Sequence, residues 1–481
     1  MAADGHGRAI AGPRTAALRG EAYVTMDLDY LTIGPRELRM EKRQLAAAGR
    51  PVGDVAAALD DCAAAMEREG VEAHQERARH LLDRCESLPR ATTPAEPDDL
   101  EAIRAARPDP GGRDDPRGGD RSGGDGSRGL DADGAERDRL LGAWLGRCAG
   151  CRLGKPVETW DRETIRNFLV ATDQSLDDYL AADVPGSGGF ALDATGGWDD
   201  RTEGMPRDDD VDFAVAALVT LSRAGATFES ADLARTWLGE LPACGLHTAE
   251  RVAYRNLLDG VSPPASARRR NPYRELIGGQ IRGDCYGYVV PGEPERAAAL
   301  AHRDARVTHV RNGVYGAMWV AATLAAVPAV DTLRAAVAVG RAEIPATSRL
   351  ADALGDVLDW HDAGLDHGTA IDRVHDAWDD ADFYEGYHVV PNAQVVAATL
   401  LWSEGRPFAD AVGRAVAAGF DTDCNAATVG SVLGLARGTD AIPDRLATPL
   451  RGEIRTALAD RPRPTLAGLA DETLAVARDV D

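Results

Sequence analysis

The chain has 481 residues, with 54 Lys plus Arg against 78 Asp plus Glu and a formal net charge of −24. Hydrophobic residues make up 44%, enough for a large buried core, which excludes disorder over most of the chain. The acidic excess excludes a general nucleic-acid or membrane-surface binder, whose affinity rests on clustered basic side chains. Lys42 and Lys155 are the only lysines, and all remaining Lys-plus-Arg positions are Arg. With abundant Ala, Gly and Asp, this bias fits a GC-rich bacterial genome.

The first twenty residues carry Asp4, Arg8 and Arg14 and lack the continuous apolar stretch of a signal peptide. The expected location is therefore the cytoplasm. Between Pro35 and Leu88, apolar residues recur at three- and four-residue steps, and Pro51 and the Glu69-Gly70 step break the pattern. This predicts three helices in an accessory N-terminal region, residues 1–95. The stretch Arg107–Gly129 consists only of Gly, Pro, Arg, Asp and Ser. It cannot bury enough apolar surface to offset its ordering entropy, so 107–130 reads as a flexible linker or insertion.

From Asp138 onward the periodicity is helical almost throughout. Helices are predicted at Arg139–Leu153, Val211–Ala224, Ala297–Ala301, Val314–Ala326, Asp331–Gly340, Ser348–Gly364, Ala393–Ser403, Phe408–Ala418 and Asn425–Arg437. The longest apolar run, Val314–Val330, is shorter than the roughly 20 residues of a membrane span and reads as a core helix. Strand-like alternation is nearly absent. The expected fold is all-α, a multi-helix bundle, with residues 96–481 as its main domain. Seven cysteines lack disulfide-framework spacing, and the isolated Cys148-Ala-Gly-Cys151 pair reads as helix-packing residues.

Two acidic clusters exceed ordinary surface charge. Asp208-Asp209-Asp210-Val211-Asp212 precedes an apolar helix. One Asp suffices for an N-cap, and converging carboxylates repel unless a cation joins them. Capping and cation binding both stay open for this cluster alone. The second is Gly419-Phe420-Asp421-Thr422-Asp423-Cys424-Asn425, where Gly419 permits a sharp turn and a small, apolar helix follows. Two carboxylates two residues apart at a buried turn can share one ion, and oxygen donors suit Mg²⁺, Mn²⁺ or Ca²⁺. Two such clusters together favour a shared two-cation site.

These motifs resemble those of the ADP-ribosylglycohydrolase family from about Asp98 to Asp444. Leu140–Gly146, Gly150, Leu153-Gly154 and Pro156-Val157-Glu158 are similar to the family's opening helix and its glutamate. Asp208-Asp209-Asp210 stands at the place of its Thr-Asp-Asp motif, and Thr308-His309 resembles its Thr-His element. Gly419–Gly438 followed by Ile442-Pro443 is similar to its Asp-Thr-Asp motif and closing helix. The resemblance implies an orthogonal all-α bundle with two divalent metals, most simply Mg²⁺. Asp209, Asp210, Asp421 and Asp423 would be ligands, joined by Asp208 in place of a threonine. Glu158 would act on the substrate or its water, and Asp423 would bridge the metals as a catalytic group. The family's usual Asp near the start reads Cys151 here, and its last motif Thr reads Cys424. Cys424 is a soft donor, poorly matched to Mg²⁺.

The implied reaction is hydrolysis of an N- or O-ribosyl bond at C1′ of an ADP-ribosylated protein or a ribosylated metabolite. A catalytically silent ADP-ribose binder and a two-metal phosphoester hydrolase are the competing readings. Gly279, Gln280, Arg282, His309 and Tyr387 are the candidate substrate contacts, with Arg282 and Arg303 considered for a phosphate and Tyr286 and Tyr288 for a base. The sequence sets neither the leaving group nor the oligomeric state, and no nucleic-acid or membrane partner is expected.

Overall fold

The computed structural model describes residues 32–89, 96–108, 130–192 and 196–480. The Gly/Asp/Arg-rich stretch read as a linker lies almost wholly outside the described residues. The described residues form 21 α-helices and short 3₁₀ turns, with three isolated β-bridges and no strand. None of the helices is long and apolar enough to cross a membrane.

Nine predicted helices of the main body are present, with ends shifted by a few residues except for the first, which begins at Leu130 instead of Arg139. Three of them are buried on nearly every side: Asn312–Ala326, Val389–Leu401 and Thr422–Arg437. Their sequences are apolar or small on all faces, as a central helix requires. Amphipathic helices surround them. Leu333–Ala342 packs on Asn312–Ala326, and Arg349–Asp362 packs on Val389–Leu401. The short Tyr288–Val290 run continues a one-turn helix, Asp284–Tyr288, rather than a strand. Arg162–Thr172, Ser230–Glu240, Thr248–Leu258, His367–Ala377 and Leu466–Val480 are helices that the sequence reading did not single out.

The N-terminal helices Pro35–Ala47, Gly53–Glu69 and Gln75–Ser87 match the three expected between Pro35 and Leu88. They enclose a small core of their own around Leu38, Leu45, Leu59, Met66 and Leu82. Met40 reaches out of that core to pack with Tyr273, Leu276 and Tyr384. The Tyr273 hydroxyl donates to Glu37 at 2.7 Å, and Arg274 pairs with Glu41. Thus the first helix rests on the segment that leads into the Ile277–Arg282 turn.

The closest helix contact pairs Leu130–Gly154 with Thr422–Arg437. Gly142, Gly146, Gly150 and Gly154 recur every four residues and so form one stripe along the first helix. They face Gly434, Gly430, Ala426 and Thr422 in antiparallel order. A Cβ at Gly146 would overlap the Gly430 carbonyl, and one at Gly150 would overlap the Ala426 carbonyl. Backbone-to-backbone contact at these points leaves no room for a side chain. Substituting Gly150 by Val should therefore lower stability by about 1–3 kcal/mol or more through overpacking. Chemical denaturation of the variant measures this, and an unchanged midpoint would refute the close packing.

Candidate metal centre

The glycine stripe ends at Gly154, directly against Thr422 and Asp423. Beyond it the Lys155–Val157 turn carries Lys155 and then Glu158 toward the start of the Thr422–Arg437 helix. That helix is entered through two successive left-handed residues, Gly419 at φ 77° and Phe420 at φ 59°. A left-handed Phe is unfavourable by roughly 1 kcal/mol, and here it turns the chain so that Asp421 and Asp423 point inward. Asn392 holds the turn by accepting from the Asp421 amide at 3.0 Å and from Asn425 at 2.8 Å.

The other acidic motif arrives from the opposite side. Asp208 is the N-cap of the Asp209–Ala224 helix and accepts from the Asp210 amide at 2.9 Å. Capping is thus real, but it uses only one of the carboxylates. Cys151, Asp208, Asp210 and Asp423 place ligand atoms within 4.8 Å of one another, as do Asp421, Asp423 and Cys424. All of these side chains are buried. Asp209, half-buried, lies outside both groups, although its negative charge is felt by Asp210 and Asp421. Glu158 is half-buried at the edge, where its charge reaches Asp421, Asp423 and Tyr387.

Two cations answer this charge. Arg147 is fully buried, with Nη2 at 3.2 Å from Asp210 and Nη1 at 2.9 Å from buried Asp284. It also donates to the Asp210 carbonyl at 3.0 and 2.7 Å, and to that of Ile281. Lys155 Nζ lies 2.5 Å from Asp208, 3.2 Å from Glu158 and 3.6 Å from Asp423. Burial works against ionisation of Asp208, but the Lys155 ammonium overrides it and holds the carboxyl below its usual range. Elsewhere burial wins. It pushes Asp423 well up, helped by the Glu158 charge, and pushes Asp210 well up, helped by Asp208. Burial and the Glu158 charge bring Asp421 to about 7.

This donor set fits a divalent cation. Buried carboxylates outnumber the nearby cations, and Asp421 Oδ1 is buried without a hydrogen-bond partner. The thiols of Cys151 and Cys424 give the set a softer component than an all-oxygen site. In the ion-free chain, Asp421 binds its proton more tightly folded than unfolded, where its pKa is about 4. Its contribution to stability is complete below about pH 4 and is lost as the pH rises through about 7. Thermal melts of the ion-free protein should therefore show this loss across that window, and Asp421→Asn should reduce it. A melting temperature independent of pH would contradict it.

The substrate candidates separate. Tyr387 is half-buried beside the acidic cluster, and its carbonyl accepts from the Ile277 amide at 2.9 Å. Gly279 packs against the Gly313 backbone and His309, where a Cβ would crowd both. Gln280 is fully buried and neither polar atom of its side chain has a partner. His309 is buried, with Nδ1 at 2.6 Å from the Thr308 hydroxyl, and its Nε2 lacks a partner. Arg282 is a correction. It is fully buried, pairs with Glu250 and Asp304, and also donates to the Gly278 carbonyl at 2.9 Å and to Thr308. A guanidinium so engaged braces the core and does not wait for a phosphate. Arg303 likewise donates to the Ala226 carbonyl at 2.7 Å. Tyr286 and Tyr288 are core residues bonded to Asp304 and Ser431, both at 2.6 Å.

Lys155, Arg147 and Cys151 were not assigned to the site from sequence. The rarity of lysine was a usable signal for Lys155; nothing local marked Arg147. A cavity of about 470 Å³ lies elsewhere, between the N-terminal helices and Arg268–Arg274. Its arginines are engaged, most with carboxylates, as in Arg268–Asp98 at 2.7 Å and Arg349–Glu96 at 2.9 Å, and Arg50 with the Glu86 and Leu88 carbonyls. Replacing Arg282 by Met should cost about 3–5 kcal/mol, because two buried carboxylates lose their cation. Denaturant unfolding tests this; an unaltered stability would return Arg282 to the substrate candidates.

No curated protein sequence matches the chain significantly. Among solved structures it is similar to one described as an ADP-ribosylglycohydrolase-related protein complex. The match has 20% identity and a TM-score of 0.44, and covers 72% of this chain and 100% of that one. The profile of the ADP-ribosylglycohydrolase family matches residues 132–479. That span takes in the glycine stripe, both acidic motifs and the helices between them, and the chain belongs to the ADP-ribosylglycohydrolase family.

Proposed function

We propose that this protein is a divalent-metal-dependent hydrolase of a ribosyl glycosidic bond. Its substrate is an ADP-ribosylated protein or a ribosylated small molecule, cleaved at C1′. The observation that carries the reading is the convergence of Asp208, Asp210 and Asp423 in one buried group and of Asp421 and Asp423 in a second that shares Asp423, with half-buried Glu158 at the edge. Family membership supports glycosidic hydrolysis over phosphoester chemistry.

Asp421 and Asp423 would hold the metal, with Asp208 and Asp210 completing the cluster. Mg²⁺ and Mn²⁺ both suit the carboxylates, and the two thiols lean toward the softer Mn²⁺. When bound, such an ion supplies Lewis acidity toward ribose hydroxyls and a positive field for water activation. Glu158 accepts the proton of the attacking water, since it is the carboxylate of the group with open access. Lys155, 3.2 Å away, fixes its orientation. Burial of the remaining acids limits competing solvent and strengthens each charge interaction around the oxocarbenium-like sugar. Tyr387, with Gln280 and His309 deeper in the body, forms the substrate side of the centre. The N-terminal helices, as an accessory unit, brace the backbone entering the Ile277–Arg282 turn.

Incubation with ribosylated proteins and nucleosides in Mg²⁺, Mn²⁺ or EDTA, read by mass spectrometry, tests the assignment. A free ribosyl product should form only with metal. Glu158→Gln should slow turnover by about 10²–10⁴-fold while leaving metal binding intact. Asp421→Asn with Asp423→Asn should abolish both metal binding and turnover. Phosphate release instead of a ribosyl product would favour the phosphoester reading, and binding without turnover would favour a silent binder.

A further inference from the structure

The centre contains two positions of cation size, and they are unequal. One is bounded by Cys151, Asp208, Asp210 and Asp423, the other by Asp421, Asp423 and Cys424, with Asp423 common to both. Lys155 Nζ stands at the first. It is 2.5 Å from Asp208 Oδ2, 3.2 Å from Glu158 Oε2 and 3.6 Å from Asp423 Oδ2, so three carboxylates from three segments surround one ammonium. Asp208 Oδ2 and Asp421 Oδ1 are both buried without a hydrogen bond, but Asp208 Oδ2 has the ammonium beside it, whereas Asp421 at the second position has no ion-pair partner among the described residues. Arg147 reaches Asp210 but is shared with Asp284, so it does not fill that gap.

We infer that Lys155 is a built-in cation replacing one of two metal ions, and that the chain binds a single divalent ion at Asp421, Asp423 and Cys424. This rests on the reading that the acidic group holds a divalent cation, and it deepens that reading by fixing the number of ions. The lysine is not a surface side chain that happened to fold inward. Gly154, the residue before it, is pressed against the Thr422 and Asp423 backbone, and the Lys155 stem runs beside Gly197. The Lys155 side chain is only 18% exposed, so its ammonium is largely enclosed. An ammonium within hydrogen-bond reach of Asp208 occupies the volume and uses the charge that a second ion would need. Lysine suits the task because it is a compact point charge, whereas a guanidinium is a wide planar fork. With Lys155 neutralising Asp208, that carboxylate becomes a fixed wall of the site instead of a metal ligand.

The test is metal stoichiometry, which does not depend on turnover. Full-length wild type, Lys155→Met and Lys155→Arg are each equilibrated with Mn²⁺ alone, desalted and measured by elemental mass spectrometry, with circular dichroism to confirm folding. Wild type should hold one Mn²⁺ per chain. Lys155→Met, which keeps the stem and removes the charge, should hold two. Lys155→Arg, which restores a cation, should return to one. Anomalous diffraction from Mn²⁺-soaked crystals should place the wild-type ion beside Asp421 and away from Asp208. Two ions in wild type overturn the inference while leaving the metal-centre reading intact. One ion in both wild type and folded Lys155→Met also overturns it. If Lys155→Met fails to fold, the position of the wild-type ion decides, and an ion seated on Asp208 overturns it. No ion in any variant overturns the metal-centre reading itself.

Discussion

The backbone contact between Leu130–Gly154 and Thr422–Arg437 sets the geometry on which the candidate centre depends. Residues separated by 268 to 292 positions approach so closely that carbonyls of one helix fill the space of missing side chains on the other. Such an approach requires glycine at every fourth position on one partner and small residues on the other. Its register is antiparallel, so the end of one helix meets the start of the other. Gly154 therefore lies on Thr422, and the residues that follow it are delivered to the acidic turn. Any slip of one turn would move Lys155 and Glu158 by about 5.4 Å, out of reach of Asp208 and Asp423. The stripe is thus both a backbone-to-backbone contact and the device that aligns two distant motifs.

Electrostatics explains why that alignment must be so well determined. Buried carboxylates are tolerable only when cations or hydrogen bonds accompany them. The core meets this requirement with arginine hubs. Arg147 ties the glycine helix to the start of Asp209–Ala224 and to the Ile277–Arg282 turn. Arg282 ties that turn to Glu250 and Asp304. In these networks each buried carboxylate has an arginine beside it. The acidic centre is not closed, because Asp421 retains an unpartnered oxygen and Asp423 and Asp210 are driven toward their protonated forms by burial and by neighbouring carboxylates. A group that the fold leaves electrostatically incomplete, next to groups that it completes carefully, is the signature of a functional site.

Much of this was legible in the sequence. The central helices announced themselves through long apolar runs, and the three N-terminal helices through breaks at Pro51 and Gly70. The missed helices, such as Arg162–Thr172 and Ser230–Glu240, are short and half-polar, and their periodicity merges with ordinary surface sequence. The acidic motifs were legible because four Asp among five residues exceed what a cap uses. Their partners were not. Arg147 sits in a helix whose local pattern says only that it is buried or snorkelling, and its carboxylates lie 63 and 137 positions away in the chain. Arg282 was misread for the same reason, since an arginine near a glycine-rich turn looks alike whether it awaits an anion or already holds two carboxylates. Cys151 was read as packing, and it is packed; its second property, adjacency to Asp208, exists only after folding.

The net charge of −24 says little about this centre, but the composition of the cationic side chains says a good deal. The chain has two lysines among 54 Lys and Arg residues, so its sequence uses arginine at nearly every position where either residue serves. Lys42 is an exposed partner of Asp60. Lys155 is enclosed by carboxylates and follows a glycine that cannot move. In that setting arginine supplies the same charge but fits less well, because its fork needs width and five donor directions, while three converging carboxylates offer a single point. A lysine retained at that point marks a demand for compact charge, the same demand that a metal ion meets. In the single-ion arrangement inferred above, the two kinds of cation would divide one acidic cluster, with the ammonium on the Asp208 side and the metal ion beside Asp421.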